Sequence, residues 1–184
     1  LSPGADPTEI CPTATFREEP IYLDGQAPDA AEIQRRLDLY WLTYHRELAR
    51  VIAETHERFG AVLLFDAHSI GSVLPRFFEG RLPDFNLGTA DGESADADLT
   101  EQMFGVLDNA DGYTAILNGR FKGGYITRHY GDPANNIHAI QLEMGQVAYM
   151  DEEPPFRLRT DRADRVRPVL TELLETGLPW ITSR

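Results

Sequence analysis

Ala61-Val62-Leu63-Leu64-Phe65-Asp66-Ala67-His68-Ser69-Ile70 decides how the rest of this chain is read. The apolar run Ala61 to Phe65, bounded by Gly60 and by a carboxylate, has the length of a buried strand rather than of a helix. What precedes it fits. Asp29 and Glu32 have the spacing of a capping box. Ile33, Leu37, Tyr40, Trp41, Tyr44, Leu48, Val51, Ile52 and Phe59 then recur at three- and four-residue steps, which predicts one amphipathic helix to about Arg58, ended by Gly60. A helix feeding a buried strand is an αβ unit, and such units place their chemistry at the C-terminal ends of strands. Asp66 and His68, two residues apart, point to the same side of a strand. They could share one metal or one hydrogen-bond network, or be a turn-capping Asp beside a structural His.

Working outward, residues 70 to 96 carry Gly71, Pro75, Gly80, Pro83, Gly88 and Gly92 and predict a long loop, a kind that is commonly functional. A helix is expected over Ala97 to Asn109, with Leu99, Met103, Phe104, Val106 and Leu107 as its apolar stripe and Ser94 or Asp96 as its cap. Tyr113 to Leu117 reads as a second short buried strand, followed by the glycine-rich loop Asn118 to Gly124. Ile137 to Met144 is the third strand. The last helix covers about Asp161 to Thr176, with Val166, Val169, Leu170, Leu173 and Leu174 on one side and Pro168 kinking it or marking its start. Residues 1 to 28, with five of the twelve prolines, read as an irregular arm. The expected fold is α/β: one domain over residues 1–184, with a mixed, largely parallel sheet flanked by helices and no internal repeat.

Composition narrows the function. A net charge of −13 argues against a nucleic-acid or anionic-membrane partner, because phosphates are bound mainly by Lys and Arg. The single cysteine, Cys11, fits a reducing compartment, so the cytoplasm is the expected location. No stretch has the length of a membrane span, and the first residue, Leu1, is not an initiator Met, so a piece of a longer polypeptide is expected.

If the strands run parallel, three features meet at one rim: Asp66 with His68, the Asn118 to Gly124 loop, and Glu143. In Ala139-Ile140-Gln141-Leu142-Glu143-Met144-Gly145, Glu143 is a carboxylate among apolar residues. Burial there would raise its pKa into the range of a general base; simple alternation would instead turn Gln141 and Glu143 to solvent. Between Asp111 and Asp132 no acidic residue occurs, while Arg120, Lys122 and Arg128 supply cations. Gly119, Gly123 and Gly124 would let backbone approach a small anionic substrate, with Arg offering a fork for its carboxylates; a solvated hairpin is the alternative. His129 lies beside these cations as a ligand, a proton donor or a packed loop residue. His45, His56 and His138 are expected to be structural.

Four blocks, Leu64 to Ile70, Pro75 to Pro83, Asn118 to Gly131 and Gln141 to Met144, closely resemble the N-formylglutamate amidohydrolase (deformylase) family, over about Cys11 to Thr176. The resemblance implies a fold related to zinc carboxypeptidases and aspartoacylase. It implies that His68 is a zinc ligand supported by Asp66, and that Glu143 is the glutamate that activates the attacking water and protonates the leaving amine. Arg120 foremost, then Lys122, Arg128 and His129, would contact the substrate. The implied reaction is hydrolysis of N-formyl-L-glutamate to formate and L-glutamate, in the usual setting of histidine degradation. Deacylation or carboxypeptidase action on another small acidic N-acyl amino acid, and a non-catalytic fragment, are the alternatives. The family's other zinc ligands and an Asn-Arg clamp belong to a segment not seen here, so the sheet is expected to lack its first strands and the chain to offer one ligand where catalytic zinc wants three.

Overall fold

The structure, a computed structural model, describes residues 11–183. These fall into two compact units: the described residues up to Val51 with Val73–Arg81, and Ile52–Ser72 with residues 82–183.

The first unit is built on the expected helix. Asp29 caps α1 (Ala30–Arg36) by accepting from the Glu32 N–H at 2.8 Å. Glu32 does not complete the box; its carboxylate holds Arg35 and Arg36 at 2.6 and 2.7 Å, and those cations keep its pKa down at about 2. A π-helical turn, Leu37–Trp41, continues without a break into α2 (Leu42–Phe59). Leu39, Tyr40, Trp41, Leu42, Tyr44 and Val51 are exposed, so periodicity predicts the helix here but not burial of its stripe. Before it, the described residues 11–28 are irregular, with a bridge between Ala14 and Pro20 and an edge-to-face contact of Phe16 on Phe77; residues 1–10 of the expected arm lie outside the described residues.

The second unit is a four-stranded sheet in the order β1-β4-β2-β3, with β1 at Val62–Ile70, β2 at Phe85–Gly88, β3 at Ala115–Leu117 and β4 at Ile137–Gly145. β1 runs parallel to β4 and β2 parallel to β3, but β2 is antiparallel to β4. The sheet is therefore mixed and mostly parallel, and three sequence expectations are corrected. β1 extends to Ile70, so Asp66 and His68 sit within the strand. β2 lies inside the expected loop. β3 is a half-exposed edge strand running opposite to β1 and β4, so the loop after it leaves from the other end of the sheet.

Alternation gives the sheet two unlike sides. Phe85, Leu87, Ile140 and Leu142 turn to one side and are buried against α3 (Ala97–Asp108) and α5 (Thr160–Thr182), chiefly Leu99, Met103, Leu107, Val166, Leu173 and Trp180. Each such side chain contributes about 1.5–3 kcal/mol by leaving water. Gly177 lets α5 approach closely: a Cβ there would lie 2.7 Å from the Leu63 side chain. Pro168 does not mark the start of α5 and Pro179 does not end it; both are exposed positions inside the helix. His138 is structural, its Nδ1 accepting from the Asp96 N–H at 3.1 Å and its ring edge-on to Trp180. His56 bonds the carbonyl of Asn135 at 2.8 Å, and His45 packs on Trp41. No helix among the described residues is long and apolar enough to cross a membrane.

Candidate active site

The opposite side of the sheet holds the polar residues, in rows that run across the strands. One row is His68 on β1, Glu143 on β4, Asn86 on β2 and Ile116 on β3; its neighbour is Asp66, Gln141 and Gly88. Adjacent strands lie about 4.8 Å apart, so members of a row are side-chain neighbours. Asp66 and His68 make a pair, Oδ1 to Nε2 at 2.9 Å, with the imidazole nearly half exposed. Glu143, next along the row, is only 7% exposed. Burial pushes its pKa up to about 7; His68 pulls it down and Asp66 pushes it up, both less strongly. Alternation to solvent is thus overturned, since Gln141 and Glu143 share a side that is covered.

The cover is the loop Asn118–Gly124 with α4 (Tyr125–Tyr130). Gly119 folds back on Ile116, whose side chain a Cβ would meet at 2.6 Å. At the other end, the Gly124 N–H donates to Gln141 Oε1 at 2.7 Å. Between these points the backbone presses on Gly88, where a Cβ would lie 2.5 Å from Gly123 N, so only glycine fits. The loop therefore crosses the sheet to Gly88 and Gln141, in the row beside Glu143, rather than sharing a rim with it. Thr127 on α4 and Asn86 beneath are fully buried; Thr127 Oγ1 and Asn86 Oδ1 have no hydrogen-bond partner among the described residues. The Asn86 amide donates to the carbonyls of Pro83 and Glu143 at 2.8 and 3.1 Å.

The predicted substrate contacts divide. Lys122 pairs with Asp91 at 2.9 Å, Arg128 donates to the carbonyl of Gly123, and His129 stacks on Tyr125 with ring centroids 4.7 Å apart. Arg120 lies over the Phe121 ring at 5.5 Å, between the loop's two anchors. Sequence reasoning missed Gln141, Asn86 and Gly88 as parts of the site; the alternation Phe85, Leu87 against Asn86, Gly88 is the one local signal for the last two.

Among the described residues no three His, Cys, Asp or Glu side chains are placed to share a metal ion. Catalytic zinc takes three protein ligands, and one imidazole already paired with Asp66 does not supply them. These residues alone do not fit a complete zinc site.

The model of the N-formylglutamate amidohydrolase family matches residues 1–150. This chain belongs to the N-formylglutamate amidohydrolase family. It is 49% identical over 177 residues to the N-formylglutamate deformylase of Pseudomonas putida, covering 96% of this chain and 66% of that protein. To the N-formylglutamate deformylase of Pseudomonas aeruginosa it is 50% identical over 173 residues, covering 94% and 65%. The chain thus spans just under two thirds of the length of these relatives. Among solved structures, an N-formylglutamate amidohydrolase from Ralstonia eutropha JMP134 superposes with a TM-score of 0.73 at 28% identity, over 86% of this chain and 57% of that one. A gene product of Agrobacterium tumefaciens, at 16% identity and a TM-score of 0.62, covers 94% of this chain and 66% of its own and shares the fold.

Proposed function

We propose that this member of the N-formylglutamate amidohydrolase family hydrolyses the amide of N-formyl-L-glutamate, with Glu143 as the proton carrier. The observation that supports it is a buried carboxyl with a pKa of about 7, next to a His-Asp pair on the sheet face that a glycine loop carrying cations crosses. Such a group is populated both with and without its proton near neutrality, which suits it to take a proton in one step and return it in the next. The carboxylate of Glu143 removes a proton from the water that attacks the formyl carbon. It then delivers that proton to the leaving nitrogen as the C–N bond breaks, releasing formate and L-glutamate. Asp66 orients the His68 ring, and His68 opposes the effect of burial on Glu143. Arg120 receives a substrate carboxylate, on a loop held by Lys122 paired with Asp91 and by Arg128 bonded to the Gly123 carbonyl.

Of the described residues only His68 is placed as a candidate zinc ligand, so the steps above involve the residues of this chain alone; a zinc ion, if held, would supply positive charge near the reacting carbonyl. The test is formate release from N-formyl-L-glutamate by the chain and by Glu143→Gln, with and without chelator, beside a zinc assay of His68→Ala. Glu143→Gln is expected to lose about 100- to 10,000-fold in rate. A glutamine variant as fast as the parent rejects the role of Glu143, and chelator-insensitive activity rejects the metal.

A further inference from the structure

The turn after β2 and the loop after β3 are fastened to each other by a set of bonds that the proposed reaction does not itself require. Asn118 Oδ1 accepts from the Thr89 N–H at 2.8 Å and from the Asp91 N–H at 3.4 Å, and its Nδ2 donates to Thr89 Oγ1 at 2.9 Å. The Asn118 N–H donates to the carbonyl of Leu87 at 2.8 Å, and the Ala90 N–H to that of Lys122 at 2.6 Å. Lys122 and Asp91 add an ion pair. Thr89 is fully buried.

The fastening holds unfavourable backbone. Asn118, Ala90 and Asp91 have φ of 49°, 51° and 59°, and Gly92 follows at 94°. Left-handed residues other than glycine cost of order 1 kcal/mol each, and persist where their surroundings over-determine them. Here the strained segments are the two that flank Arg120. The charges of Lys122 and Arg128 are committed to Asp91 and to the Gly123 carbonyl, which makes them parts of the fastening. Arg120 follows Gly119, which packs on Ile116, and Ile116 lies two strands along the row from Glu143, roughly 10 Å away at two strand spacings. That separation suits the far carboxylate of a substrate whose formyl group meets Glu143.

We propose that Asn118, through its clasp on Thr89, is a positioning residue that sets Arg120 to select substrates with a carboxylate at the end of the side chain. This rests on the reading of Glu143 and the loop given above. The experiment compares formate release from N-formyl-L-glutamate and from N-formyl-L-glutamine, which has the same shape without the distal charge. Asn118→Gly removes the clasp and leaves the left-handed backbone unstrained; Asn118→Asp keeps the acceptor, and Thr89 Oγ1 donates in return. Hydrogen bonds to charged groups contribute enough that the glutamate-over-glutamine preference in kcat/KM should fall about 10-fold or more in Asn118→Gly. The fall is expected in KM for the acid, with kcat little changed, and Asn118→Asp should restore it. An unchanged preference in Asn118→Gly, or an equal loss on both substrates, overturns the inference. If the parent releases formate from neither compound, the reaction fails and calorimetric binding of L-glutamate against L-glutamine takes over as readout. A preference for glutamate lost in Asn118→Gly and regained in Asn118→Asp then supports the clasp; equal binding by the parent overturns it.

Discussion

The two sides of the four-stranded sheet come from the same strands and are both covered, yet they are stabilised in opposite ways. On one side Phe85, Leu87, Ile140 and Leu142 pack against α3 and α5, so covering them removes apolar surface from water. On the other, Asn86, Gln141 and Glu143 are covered by a glycine loop and a short helix, and covering them removes water from groups that want it. The first side makes the fold; the second draws on that stability to hold a carboxyl away from its ordinary pKa. Alternation along a strand, usually a division between core and solvent, here divides core from chemistry.

This contrast can be broken most forcefully at Phe85. Replacing it by Ala should cost about 3–5 kcal/mol in chemical unfolding, the range for emptying a fully buried aromatic site. A loss under 1 kcal/mol would mean that the apolar side is not the foundation. The polar side should respond with the opposite sign. In the metal-free chain, Glu143 has a folded pKa of about 7 against 4.5 unfolded, so the folded state binds the extra proton. Its contribution is therefore complete below pH 4.5 and lost as pH rises to 7, a decline of roughly 3 kcal/mol that is flat above. Glu143→Gln should remove that decline and be the more stable protein at pH 8; unfolding curves across pH that coincide for parent and variant would contradict it. The smallest effect belongs to the surface. Lys122 and Asp91 are both well exposed, so a double-mutant cycle on this pair should give a coupling within about 1 kcal/mol. A larger coupling would show the pair to be part of the covered side.

Much of this was legible in the sequence. The helices Ala30–Phe59 and Ala97–Asp108 and the strand Ile137–Gly145 show their periods plainly, and Glu143 betrays itself as a carboxylate within an apolar run. β2 did not, because four residues among glycines and prolines carry too few alternations to stand out. Strand direction was not legible either: it depends on which strands pair, and β2 turning against β4 moved the glycine loop from the shared rim to the sheet's surface. The clasp was beyond reach for a similar reason. Thr89 and Asn118 are 29 residues apart, and neither carries a local sign of the other.

Among the described residues β1 has a single neighbour, β4, and it carries both Asp66 and His68. In a strand with one neighbour, alternate residues present their peptide groups outward, away from the pairing that protects the rest. Deuterium uptake along Val62–Ile70 should accordingly follow a two-residue rhythm, quick at outward amides and slow at those facing β4. That rhythm is a built-in gauge of the strand bearing the imidazole, and its disappearance would register anything that comes to lie along this edge.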